Sequence, residues 1–378
     1  MARDIGKALI VCTRRIGDVL LATPLVQSLK QARPGMTVDM LVFEGTEDIV
    51  SSWPAVGHVW TIAERAPIMA QLALLRALWR RYDLALSVLA GDRPTFYAWA
   101  AGRHRIGTLL ADRKSRWKRR LLHEWVPFDN LHTHTVTMNL RLLAPLRITP
   151  VPTPVVSWGP EHESAVRRQL ADLDQAGSFA VLHVSPKFLY KTWTMAGWIA
   201  VGQWLADRGL SVVVTGGPSP EEQAQVDRVT RALPSSTVYP MPQLSLPALG
   251  CLLSRSALYI GTDTAVSHMA AALGIPTIVL FGPSNPVKWG PWPKDCAVSS
   301  SSPWRSRGSQ RQGNVMLLQG EGDCVPCLHE GCERHIQSLS DCLQTLPAER
   351  VIRAAAVLLD HRSAPRAELP IVDSSVTP

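Results

Sequence analysis

The chain has 378 residues, more than one ordinary hydrophobic core requires, so its length favours two domains. Apolar residues make up 46% and charged residues 19% of it, a globular composition that excludes a largely disordered protein. The net charge of +8 indicates an anionic partner: a nucleic acid, a membrane surface or a phosphorylated substrate. We find neither a secretory signal nor an apolar run long enough to span a bilayer, and therefore expect a cytoplasmic protein.

Strand-like and helix-like segments alternate through the first part of the chain. KALIVC predicts a strand, IGDVLLATPLVQSLKQA a helix, TVDMLVF and GHVWTI strands, residues 68–81 a helix and DLALSVL a strand. This βαβα order predicts a parallel sheet with helices on both faces. It stops near Ile148, where ITPVPTPVVSWGP contains four prolines and predicts an interdomain linker.

The same alternation resumes after the linker. FAVLHVS, LSVVVTGG, SALYIGTD and TIVLFGPS predict strands, and MAGWIAVGQWLADRG, SPEEQAQVDRVTRALP and SLPALGCLLSRS predict helices. The predicted fold class is therefore α/β, with two doubly wound domains facing a central cleft. The predicted division is a first domain at 1–150, a linker at 151–160, a second domain at 161–346, a closing helix at 347–362 and a disordered tail at 363–378. Within the second domain, 300–322 is predicted to be loop-rich.

Two segments of the second half could hold a phosphate. GTDTAVSHMAAALG is a strand, a turn and a helix, in which Asp263 could cap the helix while the amides of Thr264 and Ala265 face an anion. The alternative is simply a well-capped helix. HVSPKFLYKTW follows a strand and carries Ser185, Lys187 and Lys191, where a lysine could neutralise a diphosphate or merely be solvated.

Two further turns carry carboxylates. In GGPSPEEQ, Ser219 and Glu222 form a capping box, although a glutamate there could also accept hydrogen bonds from a ribose. In TRRIGD, Gly17 allows a tight turn, and Asp18 is either a helix cap or a carboxylate aimed into the cleft. The sequence contains neither the phosphate-binding loop of NTPases nor the glycine fingerprint of dinucleotide-binding oxidoreductases, which argues against both classes.

A basic stretch and a cysteine cluster complete the candidate features. RHRIGTLLADRKSRWKRR, from Arg103 to Arg120, has eight Lys/Arg and one acid, so it predicts a solvated helix face or a patch for phosphates or lipid headgroups. A noncatalytic nucleic-acid-binding protein is an outside alternative, since Trp117 is the single aromatic residue in this stretch. Four of the seven cysteines are clustered in a spacing that permits either a structural zinc or iron site or four reduced thiols: Cys324, Cys327, Cys332 and Cys342.

Taken together, these motifs resemble glycosyltransferase family nine, the ADP-heptose:lipopolysaccharide heptosyltransferases. The resemblance rests on GTDTAVSHMAAALGIPTIVLFGPS, RIGDVLLATPLVQSLK and YKTW, and extends from about Lys7 to about Arg353. DCVPCLHEGCERHIQSLSDCL is most similar to the heptosyltransferase III branch. The resemblance implies a GT-B fold that binds the acceptor in the first domain and the donor in the second, and an inverting transfer that requires no metal.

The resemblance also implies roles for individual residues. Asp18 becomes the candidate general base. The candidate donor-binding residues are Ser185, Lys187, Lys191, Glu222 (or its neighbour Glu221), Leu244, Asp263, Thr264, Ala265, Ser267 and His268. The candidate acceptor-binding residues, from the basic stretch, are Arg113, Lys114, Arg116, Lys118, Arg119 and Arg120.

The expected partners are ADP-heptose, the inner core of lipopolysaccharide and the inner face of the cytoplasmic membrane, and not a nucleic acid. A protein acceptor or another nucleotide sugar stays open as an alternative within the same fold.

Overall fold

The computed structural model of the protein describes residues 5–170, 177–241, 244–297 and 301–363. These residues form two β-sheets, one from each half of the chain, which confirms the predicted α/β class. The predicted disordered tail lies outside the described residues, except for its first position, which ends a helix.

The first half forms a doubly wound sheet. Its elements are β1 (Lys7–Cys12), α1 (Ile16–Leu20), α2 (Thr23–Ala32), β2 (Thr37–Phe43), α3 (Asp48–Ser51), β3 (Val59–Ile62), α4 (Ile68–Leu78), β4 (Tyr82–Ser87), α5 (Asp92–Ala101), β5 (Gly102–Leu109), α6 (Arg116–Arg119), β6 (Glu124–Pro127), α7 (Thr135–Leu140) and a 3₁₀ helix (Arg141–Leu146). The strands are parallel and lie in the order β3-β2-β1-β4-β5-β6. The order reverses between β1 and β4, so the loop after β1 opens at the position where ligands bind in such sheets.

The second half repeats this plan. Its elements are α8 (Pro160–Gln169), β7 (Phe179–Ser185), a 3₁₀ turn (Leu189–Lys191), α9 (Met195–Asp207), β8 (Ser211–Gly216), α10 (Pro220–Ala232), β9 (Val238–Pro240), α11 (Leu246–Arg255), β10 (Leu258–Thr262), α12 (Ala265–Leu273), β11 (Thr277–Phe281), α13 (Pro286–Trp289), β12 (Gln310–Gln312), β13 (Val315–Gln319), α14 (Asp341–Gln344) and α15 (Ala348–Ser363). The strand order is β12-β13-β11-β10-β7-β8-β9, and only β12 is antiparallel to its neighbour. The switch point here lies between β7 and β10.

The proline-rich segment between the halves is held against α2. The amide of Val155 donates to Thr23 Oγ1 at 2.8 Å, and the amide of Val151 donates to Ser28 Oγ at 2.9 Å. The prolines of this segment lack an amide hydrogen, which keeps the segment out of regular helices and sheets. The hydroxyl groups of α2 therefore serve as acceptors for the amides of the residues between the prolines. The largest hydrophobic cluster also joins the halves, because it contains Val26 of α2 together with Met269 of α12.

Three parts of the chain differ from the sequence prediction. The single helix predicted over IGDVLLATPLVQSLKQA is divided into α1 and α2. Residues 102–109 form β5, so the reading of the basic stretch as one helix face is wrong for its first part; Ile106 and Leu109 are buried beside β4. The segment predicted as loop-rich contains β13, which pairs with β11. Both strands are short apolar runs within polar segments, and the pairing with a neighbouring strand decides their conformation.

Candidate active site

Asp18 lies in the first turn of α1, where the loop after β1 meets the switch point of the first sheet. Its side chain is buried, and its carboxylate accepts a hydrogen bond from the backbone at Arg15, the N-cap residue of the helix. Arg14 Nε lies 3.5 Å from Asp18 Oδ2. The carboxylate thus bonds the backbone at the start of the helix and also lines a small cleft with Lys288, so the two roles that the sequence left open for Asp18 coexist.

Burial raises the pKa of Asp18 above its ordinary value, and the nearby cations Arg14, Lys288 and Arg15 counteract part of that effect. A buried carboxylate with a raised pKa is a stronger base than one in water, and the surrounding cations favour its ionised form. The electrostatics of this position therefore suit proton abstraction.

On the other side of the cleft, the half-buried Lys191 and the buried Asp263 form an ion pair. Lys191 Nζ lies 2.6 Å from Asp263 Oδ2 and donates to the carbonyl of Asp263 at 3.1 Å. Burial alone would raise the pKa of Asp263, but Lys191 beside it outweighs this effect and lowers the pKa. The prediction that Asp263 caps the helix is wrong: Thr264 is the N-cap residue, and the carboxylate turns to Lys191 instead.

The start of α12 offers several polar groups to a ligand. The side chain of Thr264 makes no capping hydrogen bond, and the first amides of a helix have no partner within the helix. Thr262 Oγ1 and His268 Nδ1 are buried without a hydrogen-bond partner in the described part of the chain. Burial lowers the pKa of His268 to about 4, so the ring is neutral at physiological pH. Unpaired buried polar atoms beside a free helix N-terminus fit a site for an anionic ligand.

Gly17 lies where the Asp18 turn of the first domain contacts the start of α12 in the second domain. A Cβ atom at Gly17 would lie 3.7 Å from His268 Cδ2 and 3.9 Å from Ala265 Cα. The turn that carries Asp18 therefore packs directly against the N-terminal turn of α12. A ligand whose diphosphate sat at that helix end would place its next group beside the Asp18 carboxylate.

The other predicted donor residues occupy different settings. Ser185 donates to Gln225 Oε1 at 3.3 Å, and Lys187 is exposed on the loop. Glu222 completes the predicted capping box, accepting from the Ser219 amide at 3.1 Å. Leu244 is partly buried against the core. Ser267 donates to the carbonyl of Thr262 and lies 3.0 Å from the hydroxyl of Tyr259, so it braces the turn rather than presenting a free hydroxyl.

Sequence reasoning missed a set of residues contributed by α13. Lys288 is 3% exposed, and its Nζ lies 4.4 Å from the ring centre of Phe128. Burial lowers the pKa of Lys288 to about 8. A small cleft is lined by Asp18 from one domain and by Lys288 and Trp289 from the other. The available signal was the position of NPVKW immediately after β11, at the carboxyl end of a strand.

Hydrogen bonds between the domains fix α13 over this cleft. His134 Nδ1 accepts from the amide of Val136, so the neutral ring carries its proton on Nε2, which donates to the carbonyl of Gly290 at 2.7 Å. Burial lowers the pKa of His134 to about 3, consistent with a neutral ring. Thr135 Oγ1 donates to the carbonyl of Lys288 at 3.2 Å. These bonds hold Lys288 in place opposite Asp18.

The basic candidates divide into two groups. Arg113, Lys114, Arg116 and Arg120 are exposed. Arg119 is half-buried, with its guanidinium 4.3 Å from the ring centre of Trp125. Lys118, predicted to bind the acceptor, is instead buried, lies 2.9 Å from Asp92 Oδ1 and donates to the carbonyl of Ala90. Lys118 therefore anchors α6 to the start of α5.

The four clustered thiols are neighbours in the fold. Burial raises the pKa of Cys342 to about 11, and Cys327, Cys332 and Cys324 contribute to that rise. Thiolate ligands suit zinc and iron. As arranged, however, no set of three His, Cys, Asp or Glu side chains within the described ranges is poised to hold a metal ion. The cluster thus does not fit a metal in this arrangement, and we derive no chemical step from one.

The sequence of the chain is similar to that of known glycosyltransferases. The model of glycosyltransferase family 9 (heptosyltransferase) matches residues 71–317. Lipopolysaccharide heptosyltransferase 3 of Escherichia coli (strain K12) is 29% identical over 364 residues, 93% of this chain and 97% of the relative.

Solved structures give the same picture of the fold. A family 9 glycosyl transferase from Veillonella parvula has a TM-score of 0.75 at 18% identity, covering 96% of this chain and 99% of its own. The ADP-heptose lipopolysaccharide heptosyltransferase II of E. coli has a TM-score of 0.71 at 17% identity, covering 95% and 100%. These likenesses confirm the predicted GT-B fold.

Proposed function

The chain belongs to glycosyltransferase family 9, and we propose that it transfers a heptose from ADP-heptose to the inner core of lipopolysaccharide, with inversion at the anomeric carbon. The observation that carries this proposal is the contact of the Asp18 turn with the N-terminus of α12, next to the Lys191–Asp263 pair. This contact supports a base and a diphosphate site within one substrate length of each other. The relative from E. coli named above as lipopolysaccharide heptosyltransferase 3 supports the acceptor class and the heptosyltransferase III branch.

The donor would be held by the second domain. Its diphosphate would lie at the N-terminus of α12, near Lys191, with the free amides of the helix and the lysine facing its negative charge. Glu222, in the first turn of α10, would contact the ribose, and Leu244 would contact the adenine. As the anomeric C–O bond breaks, ADP gains negative charge, and Lys191 and the helix end are already placed to stabilise it. These protein groups would supply the stabilisation of the leaving group, so we propose that transfer requires no metal.

The acceptor hydroxyl would enter from the first domain. Asp18 would take its proton as the oxygen attacks the anomeric carbon on the face opposite to the departing ADP. Arg14 and Lys288, which flank Asp18, would hold the carboxylate ionised and meet anionic groups of the acceptor. The exposed basic residues from Arg113 to Arg120 would contact phosphates further along the acceptor.

The membrane aspect of the proposal rests on the acceptor. None of the helices within the described residues combines the length and apolarity needed to cross a bilayer. We propose that the protein works at the inner face of the cytoplasmic membrane, where an acceptor with lipid chains would be presented.

A transfer assay with purified protein tests the proposal. ADP-heptose and lipopolysaccharide core acceptors truncated at successive positions should give one product that is heavier by a single heptose. A product from a protein acceptor, or from another nucleotide sugar alone, would replace the proposed substrates while retaining the fold and the base.

A further inference from the structure

Three helices of the first domain expose large apolar side chains at one edge of the sheet. Ile68 and Met69, at the start of α4, are 74% and 75% exposed, and Leu72 one turn later is 48% exposed. Phe96 of α5 and Trp117 of α6 are each 40% exposed. Isolated exposed apolar residues are ordinary on a soluble protein, whereas several on adjacent elements indicate an interaction surface.

Specific contacts around the start of α5 make this surface continuous. On one side, Arg93 donates from Nη1 to the carbonyl of Glu64 at 2.5 Å, which ties the segment before α4 to α5. On the other side, the Lys118–Asp92 ion pair ties α6 to α5. The rings of Phe96 and Trp117 are 5.3 Å apart. We call the surface formed by these three helices the α4–α6 face.

Basic side chains accompany the apolar ones. Arg65 just before α4 is exposed, as are Arg113, Lys114, Arg116 and Arg120 around α6. The nearby acids do not balance them: Asp92 is already paired with Lys118, and only Glu64 and Asp112 remain against these five cations. The α4–α6 face is therefore both apolar and positively charged, the combination that binds anionic membrane surfaces.

The face lies at the same edge of the sheet as the candidate base. α4 follows the carboxyl end of β3, α6 follows that of β5, and Asp18 follows that of β1. Because the strands are parallel, their carboxyl ends share one edge. A surface docked through the α4–α6 face would therefore lie next to the acceptor side of the cleft.

We propose that the α4–α6 face docks the protein onto an anionic phospholipid bilayer, with Ile68, Met69 and Leu72 entering the headgroup region. Arg65 would contact lipid phosphates, and the exposed basic residues around α6 would lie where the lipid phosphates adjoin those of the acceptor. This inference rests on the proposed function in one respect: docking would bring the cleft to an acceptor held in the membrane by its lipid chains.

Vesicle flotation tests the docking without any turnover. The full chain is mixed with vesicles of phosphatidylcholine alone or with added phosphatidylglycerol and cardiolipin. We expect flotation with the anionic vesicles, and its loss in high salt, because screening weakens the basic contacts. The double variant Ile68→Ser/Met69→Ser should bind about ten-fold more weakly, since it removes two apolar anchors. A matched control, Val357→Ser, replaces an exposed apolar residue of α15 and should bind as the parent does.

A second measurement separates this inference from the proposed function. The double variant should use a delipidated, water-soluble core acceptor as the parent protein does, and should lose activity only when the acceptor is embedded in vesicles. Absence of flotation by the parent protein, or equal binding by the double variant, would overturn the docking whether or not transfer occurs. A concentration-dependent dimer that the double variant abolishes would also overturn it, by assigning the face to a second copy of the chain.

Discussion

Lys191 Nζ lies 2.6 Å from Asp263 Oδ2 and also donates to the carbonyl of the same residue, tying the loop after β7 to the turn after β10. β7 and β10 are the two neighbouring strands at the switch point of the second sheet. The pair therefore positions a cation where the diphosphate of the donor would lie, before the donor arrives. This preorganisation avoids the cost of ordering a flexible lysine during the reaction.

Replacing Lys191 with Met should destabilise the protein and weaken ADP binding. Removing one partner of a buried pair leaves the other charge uncompensated, which typically costs about 3–5 kcal/mol. Denaturant unfolding measures the loss, and calorimetry measures ADP affinity. Adding Asp263→Asn should recover most of the stability but not the affinity.

Lys187→Met, on the same loop but exposed, should leave the free energy of unfolding unchanged. Unaltered stability and ADP affinity in Lys191→Met would contradict the assignment of this pair. The lowered pKa of Asp263 also predicts that the pair's contribution is present above the pKa of an unfolded aspartate and is lost as the pH falls through the lowered folded value.

Asp18→Asn should abolish most transfer while preserving the fold. Loss of a general base typically lowers the rate about 10²–10⁴-fold. Because burial raises the pKa of Asp18 in the folded state, ionisation at neutral pH opposes folding, and the Asn variant should unfold at a higher temperature. The exposed carboxylate variant Asp227→Asn is the control. Turnover near that of the parent protein would show that Asp18 is not the base.

The charge of Lys288 should influence the pH at which kcat/KM falls on the acid side of the pH–rate profile. Transfer requires ionised Asp18, so kcat/KM should fall as the pH drops through its raised pKa. The charge of Lys288 lowers that pKa, so Lys288→Ala should move the acid limb to higher pH. Lys294→Ala, which removes an exposed lysine from the segment after α13, should leave the limb in place. An unmoved limb in Lys288→Ala would contradict the pairing of these two residues across the cleft.

The cysteine cluster should behave as reduced thiols in its present arrangement. Protein purified without chelator should contain less than one equivalent of zinc or iron, and Cys324, Cys327, Cys332 and Cys342 should titrate with a thiol reagent in the unfolded chain without releasing metal. One equivalent of bound metal would instead support the structural site that the cysteine spacing permits. Transfer activity after chelation then separates a structural role from a catalytic one.

The fold could be predicted because its signals are local. Strands such as KALIVC and FAVLHVS are short buried runs, and the helices between them end at clear caps, as at Gly274, which adopts the left-handed conformation. The strands that escaped prediction are β5, β6, β9, β12 and β13. Of these, β5 and β13 lie in polar segments where the pairing with a neighbouring strand makes them extended.

The sequence predicted the candidate site residues that lie in recognisable motifs. It missed the residues that reach the site only through packing between the domains. Asp18 and Lys191 follow strands and stand in recognisable turns. Lys288 lies 270 positions after Asp18 in a helix of only four residues, and its place after β11 is the one local sign that separates it from a surface lysine. Its burial comes from Phe128 and from the hydrogen bonds of the first domain to α13. The pairing of Asp263 with Lys191 was missed for a different reason: it joins two loops of the second domain that are 72 positions apart in the chain, and no local pattern shows that contact.

The most direct test of the account is mass spectrometry of core acceptor after incubation with ADP-heptose and either the parent protein or Asp18→Asn. The parent protein should convert the acceptor to a single product heavier by one heptose, with the anomeric configuration inverted relative to the donor and with equal release of ADP. Asp18→Asn should bind ADP as tightly but form that product about 10²–10⁴-fold more slowly. No heptose-bearing product from the parent protein, or equal product formation by the variant, would contradict the account.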